Sequence, residues 1–301
     1  MSLLVTGSLG IDTVETPHGT APEVLGGSAV YFAVAASHFT NVRLVGVVGE
    51  DFPEPFSKLM TDAGIDIAGL EVREGSKTFR WSGKYSEDMN DRDTLDVQLN
   101  VLEEKGPTVP AAFADSDILF LANTHPALQR EMRSQVKNPR LTVCDTMDLW
   151  IDSARDDLLA TLKVVDGLII NDGEARQLTG KSDNIAAAAA LLQLGPKFAV
   201  VKKGEHGAIL VTEKGISVIP AYPTMDVVDP TGAGDSFAGG MLGYLCTQAE
   251  IDDVALKRSL IRGTVTASIT IEDFSLTRIK DTSRDEIEKR VRAFSEMLRI
   301  D

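Results

Sequence analysis

Short apolar runs of strand length, separated by segments with helical spacing, constrain the fold of this chain more than any other feature. Runs at residues 3–7, 42–48, 117–121, 141–145, 167–171 and 198–202 are mostly apolar and too short for buried helices. Most are separated by segments of helical character, at 28–39, 52–63, 126–135 and 185–194. This alternation predicts a mostly parallel α/β sheet, because parallel neighbours need a long crossover and a helix supplies it. The runs are continuously apolar rather than alternating, so helices are expected on both faces of the sheet. Runs at 208–212 and 216–220 flank Glu213, Lys214 and Gly215, which predicts a hairpin at the sheet edge. Long helices are expected afterwards, at about 235–246, 252–271 and 285–298.

Two stretches escape the alternation. Residues 11–25 and 71–109 carry Gly, Pro, Thr and charged residues with short period-2 patterns, which predicts a small antiparallel sheet projecting from the main unit. With no internal repeat, the chain 1–301 is expected to be a single domain with these two lid segments. Within them Phe79, Trp81, Gly83 and Tyr85 share one strand face, and Thr78, Arg80, Ser82 and Lys84 share the other. The aromatic face suits a lid over a substrate, or packing against the main unit or a second copy. A lid that doubles as a homodimer interface would use both faces.

Charge narrows the ligands. Lys and Arg total 30 against 45 Asp and Glu, a net charge of −15. No basic field is available for nucleic acid or an anionic membrane. A ligand bearing phosphates must then be met by backbone amides or by a metal. Both cysteines, Cys144 and Cys246, lack a partner at metal-ligand spacing and read as buried thiols in a reducing compartment. Residues 1–10 lack the pattern of a signal peptide and no run reaches eighteen apolar residues, so a cytoplasmic location is expected.

The amide site is found at Val227-Val228-Asp229-Pro230-Thr231-Gly232-Ala233-Gly234-Asp235-Ser236-Phe237. An apolar approach, a turn of small residues and an apolar helical run place Gly232, Ala233 and Gly234 at a helix N-terminus. Converging amides there, with the helix dipole behind them, bind an anion without a basic side chain. Asp235 follows directly, where its carboxylate could accept the proton of a hydroxyl attacking a phosphoryl group. A first-turn aspartate that only stabilises the helix dipole would have the same sequence.

The segment resembles the second signature of the ribokinase-like, or PfkB, carbohydrate kinase family, departing from it at Pro230. The resemblance extends over roughly residues 3–275. It implies a ribokinase-like fold and transfer of the γ-phosphoryl group of ATP to a hydroxyl of a sugar or sugar-like molecule. Asp235 would be the general base, and the amides from Gly232 to Asp235 the anion hole. It further implies Mg2+ as a cofactor, and in some members a monovalent cation such as K+.

Other positions take roles from the same resemblance. Asp12, after the first strand, would hold substrate hydroxyls; by itself it reads equally as a turn aspartate. Gly26 and Gly27 resemble the first signature, a diglycine opening the helix behind the substrate. Four residues on, where the family usually has asparagine, this chain has Tyr31, so the acceptor need not be that of ribokinase. Asn171 and Glu174 match the Asn-x-x-Glu pair that positions magnesium, although spacing alone gives a helix cap with a first-turn glutamate. Lys202, Gly204 and Gly207 resemble the turn beside the nucleotide, and Thr264 and Ala267 lie on the helix that flanks the adenine. Asp229 matches a residue of the cation site. Asn123, Thr124, His125, Asp145 and Asp148 follow strands and are candidate substrate contacts.

Rival functions fare less well. A dinucleotide oxidoreductase needs Gly-x-Gly-x-x-Gly, and the first turn offers only Gly7 and Gly10. Gly180-Lys181-Ser182 imitates the end of a phosphate-binding P-loop, but Ala175 stands where that loop begins with glycine. Within the resemblance, a nucleoside kinase and a noncatalytic sugar-binding regulatory protein are the alternatives to a sugar kinase.

Overall fold

The computed structural model describes residues 1–299. Its strands are β1 (Ser2–Thr6), β2 (Gly10–Thr16), β3 (Gly19–Gly26), β4 (Asn41–Gly49), β5 (Ile65–Arg73), β6 (Phe79–Tyr85) and β7 (Arg92–Gln98). They continue with β8 (Ile118–Leu121), β9 (Leu141–Asp145), β10 (Gly167–Asn171), β11 (Phe198–Lys202), β12 (Ala208–Thr212) and β13 (Gly215–Ile219). Its helices are α1 (Ser28–Ser37), α2 (Glu54–Asp62), α3 (Pro126–Gln135), α4 (Asp148–Ser153), α5 (Arg155–Leu162) and α6 (Asp172–Thr179). The remainder are α7 (Asn184–Leu191), α8 (Ala233–Cys246), α9 (Asp253–Thr270), α10 (Thr277–Asp281) and α11 (Arg284–Met297).

Nine strands form the large sheet in the order β13-β12-β11-β10-β9-β8-β1-β4-β5. Every pair from β11 to β5 is parallel, and the β12–β13 hairpin closes one edge in antiparallel fashion. Strands such as β1, β8 and β9 are buried along essentially their whole length, which is why their sequences run apolar without alternation. One core joins α1, α8, α9 and α11 to one sheet face, where Phe32 stacks on Phe120 with ring centroids 4.2 Å apart. The other joins α3, α5, α6 and α7 to the opposite face through Leu158, Leu178 and Leu191. The parallel strands all end on one edge of this layer, where α/β sheets of this kind offer a ligand crevice.

The small sheet has four strands in the order β3-β2-β6-β7. Its outer pairs are antiparallel, as expected, whereas the central pair β2–β6 is parallel, with Gly10 opposite Phe79. The parallel pair arises because the chain leaves after β3 to build α1, β4, α2 and β5 before returning. The boundaries also differ from the sequence expectation. Glu71 to Arg73 end β5, which is the edge strand of the large sheet, and residues 99–109 are coil around a single 3-10 turn at Asn100–Glu103. As an edge strand β5 keeps polar residues exposed, so its pattern resembles that of the small sheet.

Candidate active site

The turn before α8 is shaped by its neighbours. Gly232 has φ 74°, a left-handed conformation, and the Tyr31 ring lies 2.2 Å from where a Cβ would stand. Only glycine meets both conditions. Ala233 N donates to Pro230 O at 3.2 Å and Ser236 N to Gly232 O at 2.8 Å. The Gly234 and Asp235 amides remain first-turn donors at the positive end of the helix dipole. Of the expected anion hole, the Ala233 amide is therefore occupied by the turn itself.

Strand ends bring charge to the same place. Lys202 closes β11, and its Nζ lies 2.5 Å from the position of a Cβ on Gly234. Asp145 closes β9, is buried, and has an Oδ1 with no hydrogen-bond partner. Burial raises the Asp235 carboxyl above the ordinary range, while the Lys202 and Arg92 charges pull it back. Burial and then the Asp235 charge push Asp145 well up, against Lys202. The result is a carboxylate beside first-turn amides and an ammonium group. That arrangement can take a proton while an anion is held next to it.

Asp12 comes from β2 and is only 4% exposed. Its Oδ2 would lie 1.8 Å from a Cβ on Gly26, so the diglycine makes room for this carboxylate. The Gly27 amide donates to it, whereas Oδ1 has no partner. Burial first, then the charge of Asp229, raises its pKa to about 7. A buried acceptor left unpaired at a crevice is suited to ligand hydroxyls. Asp229 accepts from Thr231 N at 2.9 Å and Ser275 N at 3.0 Å, which pins the motif to the segment after α9. Tyr31, between these groups, has a buried hydroxyl with no partner, and burial and the Asp229 charge raise its pKa.

The remaining candidates fall in two groups. Asn171 and Glu174 form a capping box on α6, with Glu174 N to Asn171 Oδ1 at 2.8 Å and Asn171 N to Glu174 Oε2 at 2.9 Å. Among the described residues no group of three or more His, Cys, Asp or Glu is placed to hold a metal. That donor set fits Mg2+ kept mainly by waters and phosphate oxygens, with the second Glu174 oxygen in support. Gly204 and Gly207 close a tight turn in which Lys203 N donates to Gly207 O at 2.7 Å. Thr264 is buried and Ala267 half-buried on α9, which packs on α8 through Thr266 Oγ1 to Ser236 O at 2.8 Å. The Asn123 carboxamide is engaged, accepting from Trp150 Nε1 at 2.9 Å and contacting the Met147 sulfur at 3.1 Å. His125 caps α3 through Nδ1.

Sequence reasoning missed Arg92, Trp150 and Ser275. Each reaches the site through tertiary structure from a segment without a motif. Tyr85, read only as part of an aromatic face, has its hydroxyl 3.2 Å from Thr231 Oγ1.

Comparison with known proteins agrees with this geometry. Residues 6–282 match the pfkB family carbohydrate kinase profile. The chain is 32% identical over 253 residues to a cytidine kinase of Thermococcus kodakarensis, covering 81% of this chain and 88% of that protein. A nucleoside kinase structure from Methanocaldococcus jannaschii superposes with a TM-score of 0.77 at 19% identity, over 97% of this chain and 98% of that one. The structure of a ribokinase II from E. coli in complex with ATP and Mg2+ gives 0.76 at 19% identity, over 97% and 99%. The fold is thus ribokinase-like, the enzyme is a phosphotransferase acting on sugar-like small molecules, and the chain belongs to the pfkB family of carbohydrate kinases.

Proposed function

We propose that this chain phosphorylates a hydroxyl of a nucleoside from ATP, with Asp235 as the general base. The observation that carries this reading is the placement of Asp235 between first-turn amides and Lys202, with Asp12, whose Oδ1 is unpaired, close enough to feel its charge. The acceptor hydroxyl gives its proton to Asp235 as its oxygen bonds to the γ-phosphorus. The bond to the β–γ bridging oxygen breaks, and ADP leaves with that oxygen's charge. Gly234 and Asp235 amides face the charge that develops, and Asp12 orients the acceptor. Bound Mg2+, supported from Glu174 and Asn171, supplies charge neutralisation.

A nucleoside is favoured over a free sugar because Trp150 puts aromatic surface beside Asn123, and because the cytidine kinase relative spans most of both chains. ATP turnover measured with cytidine, other nucleosides, ribose and fructose tests it. Preference for the nucleosides by kcat/KM is expected, and preference for a free sugar would remove that part of the reading. Turnover without Asp235 would remove the base.

Finer expectations accompany this reading. The small sheet serves as the lid of one domain. K+ beside Asp229 would stimulate turnover more than Na+. Every residue of β7 is exposed, Leu95 by 54% and Val97 by 51%, which suits pairing with a second copy. Two free, buried cysteines fit a cytoplasmic setting.

A further inference from the structure

Strands β8 and β9 are parallel neighbours, so the segments that follow them lie side by side and put Asn123 and Trp150 in contact. Trp150 Nε1 donates to Asn123 Oδ1 at 2.9 Å. An indole nitrogen can only donate, so this bond decides which end of the carboxamide is oxygen. The indole is itself held in place. The His125 ring stands edge-on to it, with centroids 5.1 Å apart and planes at 65°, and His125 is fixed at the start of α3 by accepting from Ala127 N at 3.2 Å. Asn123 cannot turn its amide over without losing the bond to Trp150.

The other end of the carboxamide is underused. Asn123 Nδ2 carries two hydrogens and meets only the Met147 sulfur, at 3.1 Å, a weak acceptor; its second hydrogen finds no acceptor among the described residues. The residue is half-buried at the end of β8, on the crevice edge of the sheet. Its backbone links it to the side where Asp12 stands: Ser28 Oγ donates to Asn123 O at 3.4 Å, and the Gly27 amide just before Ser28 donates to Asp12. A fixed donor thus lies two hydrogen-bonded residues away from the carboxylate that orients the acceptor.

Nucleobases differ in what they show to a donor. Cytosine has O2 and an unprotonated N3 side by side, whereas uracil carries a hydrogen on N3 and would set donor against donor. We propose that Asn123 reads the base of the acceptor by donating to the edge of cytosine formed by O2 and N3, and that Trp150 is the positioning residue that keeps the amide turned that way. The inference rests on the nucleoside kinase reading above and gives that nucleoside its base. No bond to phosphorus is made or broken at this place, so the effect falls on acceptor binding rather than on the chemical step.

The test compares cytidine with 3-deazacytidine, in which a C–H replaces N3 while O2, the amino group and the ribose remain. In wild type the KM for 3-deazacytidine is expected to be about tenfold higher or more, at similar kcat. N123D keeps one oxygen for Trp150 and puts a second where the amide nitrogen stood. Its KM for cytidine should rise until the ratio of the two KM values is near unity, with the KM for ATP within about threefold of wild type. W150F keeps an aromatic ring and loses the indole N–H, and it should lower the ratio by about threefold or more. A merely structural loss would raise both KM values and preserve their ratio. The proposal is overturned if the wild-type ratio is below about threefold, or if N123D retains it; W150F with the full ratio removes the positioning role. The wild-type comparison needs no variant to fold. A wild-type chain that turns over no nucleoside sinks the nucleoside reading itself, whereas one that turns over both analogues alike sinks only this inference.

Discussion

The two sheets of this protein support the site in opposite ways. The ends of the large sheet are supported from behind by two apolar cores, and they hold acidic groups out of water with atoms left unpaired, such as Asp145 Oδ1. The small sheet buries fewer apolar side chains, among them Ile11, Val14, Ala21, Leu25 and Tyr85. All of β7 is exposed, and polar contacts that hold the sheet to the large unit include Arg80 to Asp51, Thr78 N to Asp51, and Tyr85 to Thr231. The half-exposed Arg80–Asp51 pair contributes little. The large sheet can therefore carry the strain of buried charge, while the exposed outer strand β7 of the small one is the least held. Asp12 and Arg92 stand at the root and the tip of the small sheet.

If that division holds, the largest loss should come from the large unit. D235N is expected to lower kcat by about 10²–10⁴-fold with ATP affinity retained, measured by steady-state kinetics and nucleotide titration. The wild-type rate should also fall as pH drops through the raised pKa of Asp235, because the base acts only when ionised. A D235N variant with near-normal turnover would place the chemistry elsewhere.

How much of this division is visible in the sequence follows from the same contrast. Strands β1, β4 and β8 to β11 could be read because burial on both faces demands continuous apolar runs. Edge strand β5 could not, since one polar face makes Ile65–Arg73 look like the small sheet. The parallel β2–β6 pair leaves no local signature, because it depends on where the chain returns. In the site, the run from Asp229 to Asp235 carried its geometry in small residues. Arg92 and Ser275 have no such mark: the first arrives by sheet pairing, the second by the turn after α9 that bonds Asp229.

At the root of the small sheet, Asp12 gives a prediction of intermediate size with a defined sign. Its folded pKa of about 7 lies above the ordinary 3.8, so the folded state binds more protons than the unfolded one between those values. Its ionisation therefore costs stability as pH rises through that window, and the cost is complete above about pH 7. D12N should raise the stability of the ligand-free protein by about 2 kcal/mol at pH 8, and by much less at pH 5. Denaturant melts at both pH values measure it. The same variant should raise the acceptor KM; stabilisation without that rise would make Asp12 a structural group only.

At the tip, Y85F removes the contact with Thr231 and should have the smallest effect. A rise of a few-fold in acceptor KM is expected, about 1 kcal/mol or less, with the melting temperature unchanged. A large drop in thermal stability would show that the small sheet supports the core, against the comparison drawn above.

The parallel pairing of Gly10 with Phe79 also bears on how the molecule is made. Its partners come together only after the intervening α1, β4, α2 and β5 have been laid down, so the pairing closes a long loop and cannot zip up from a neighbouring turn. A newly synthesised chain should acquire its large layers first and its substrate cover last. The two tryptophans report these stages separately, Trp81 in β6 and Trp150 in α4. In refolding, the Trp81 signal of a W150F variant should lag the Trp150 signal of W81F. Catalytic competence would then serve as a quality mark for completed folding, because Asp12 takes its place only when the last strands are paired.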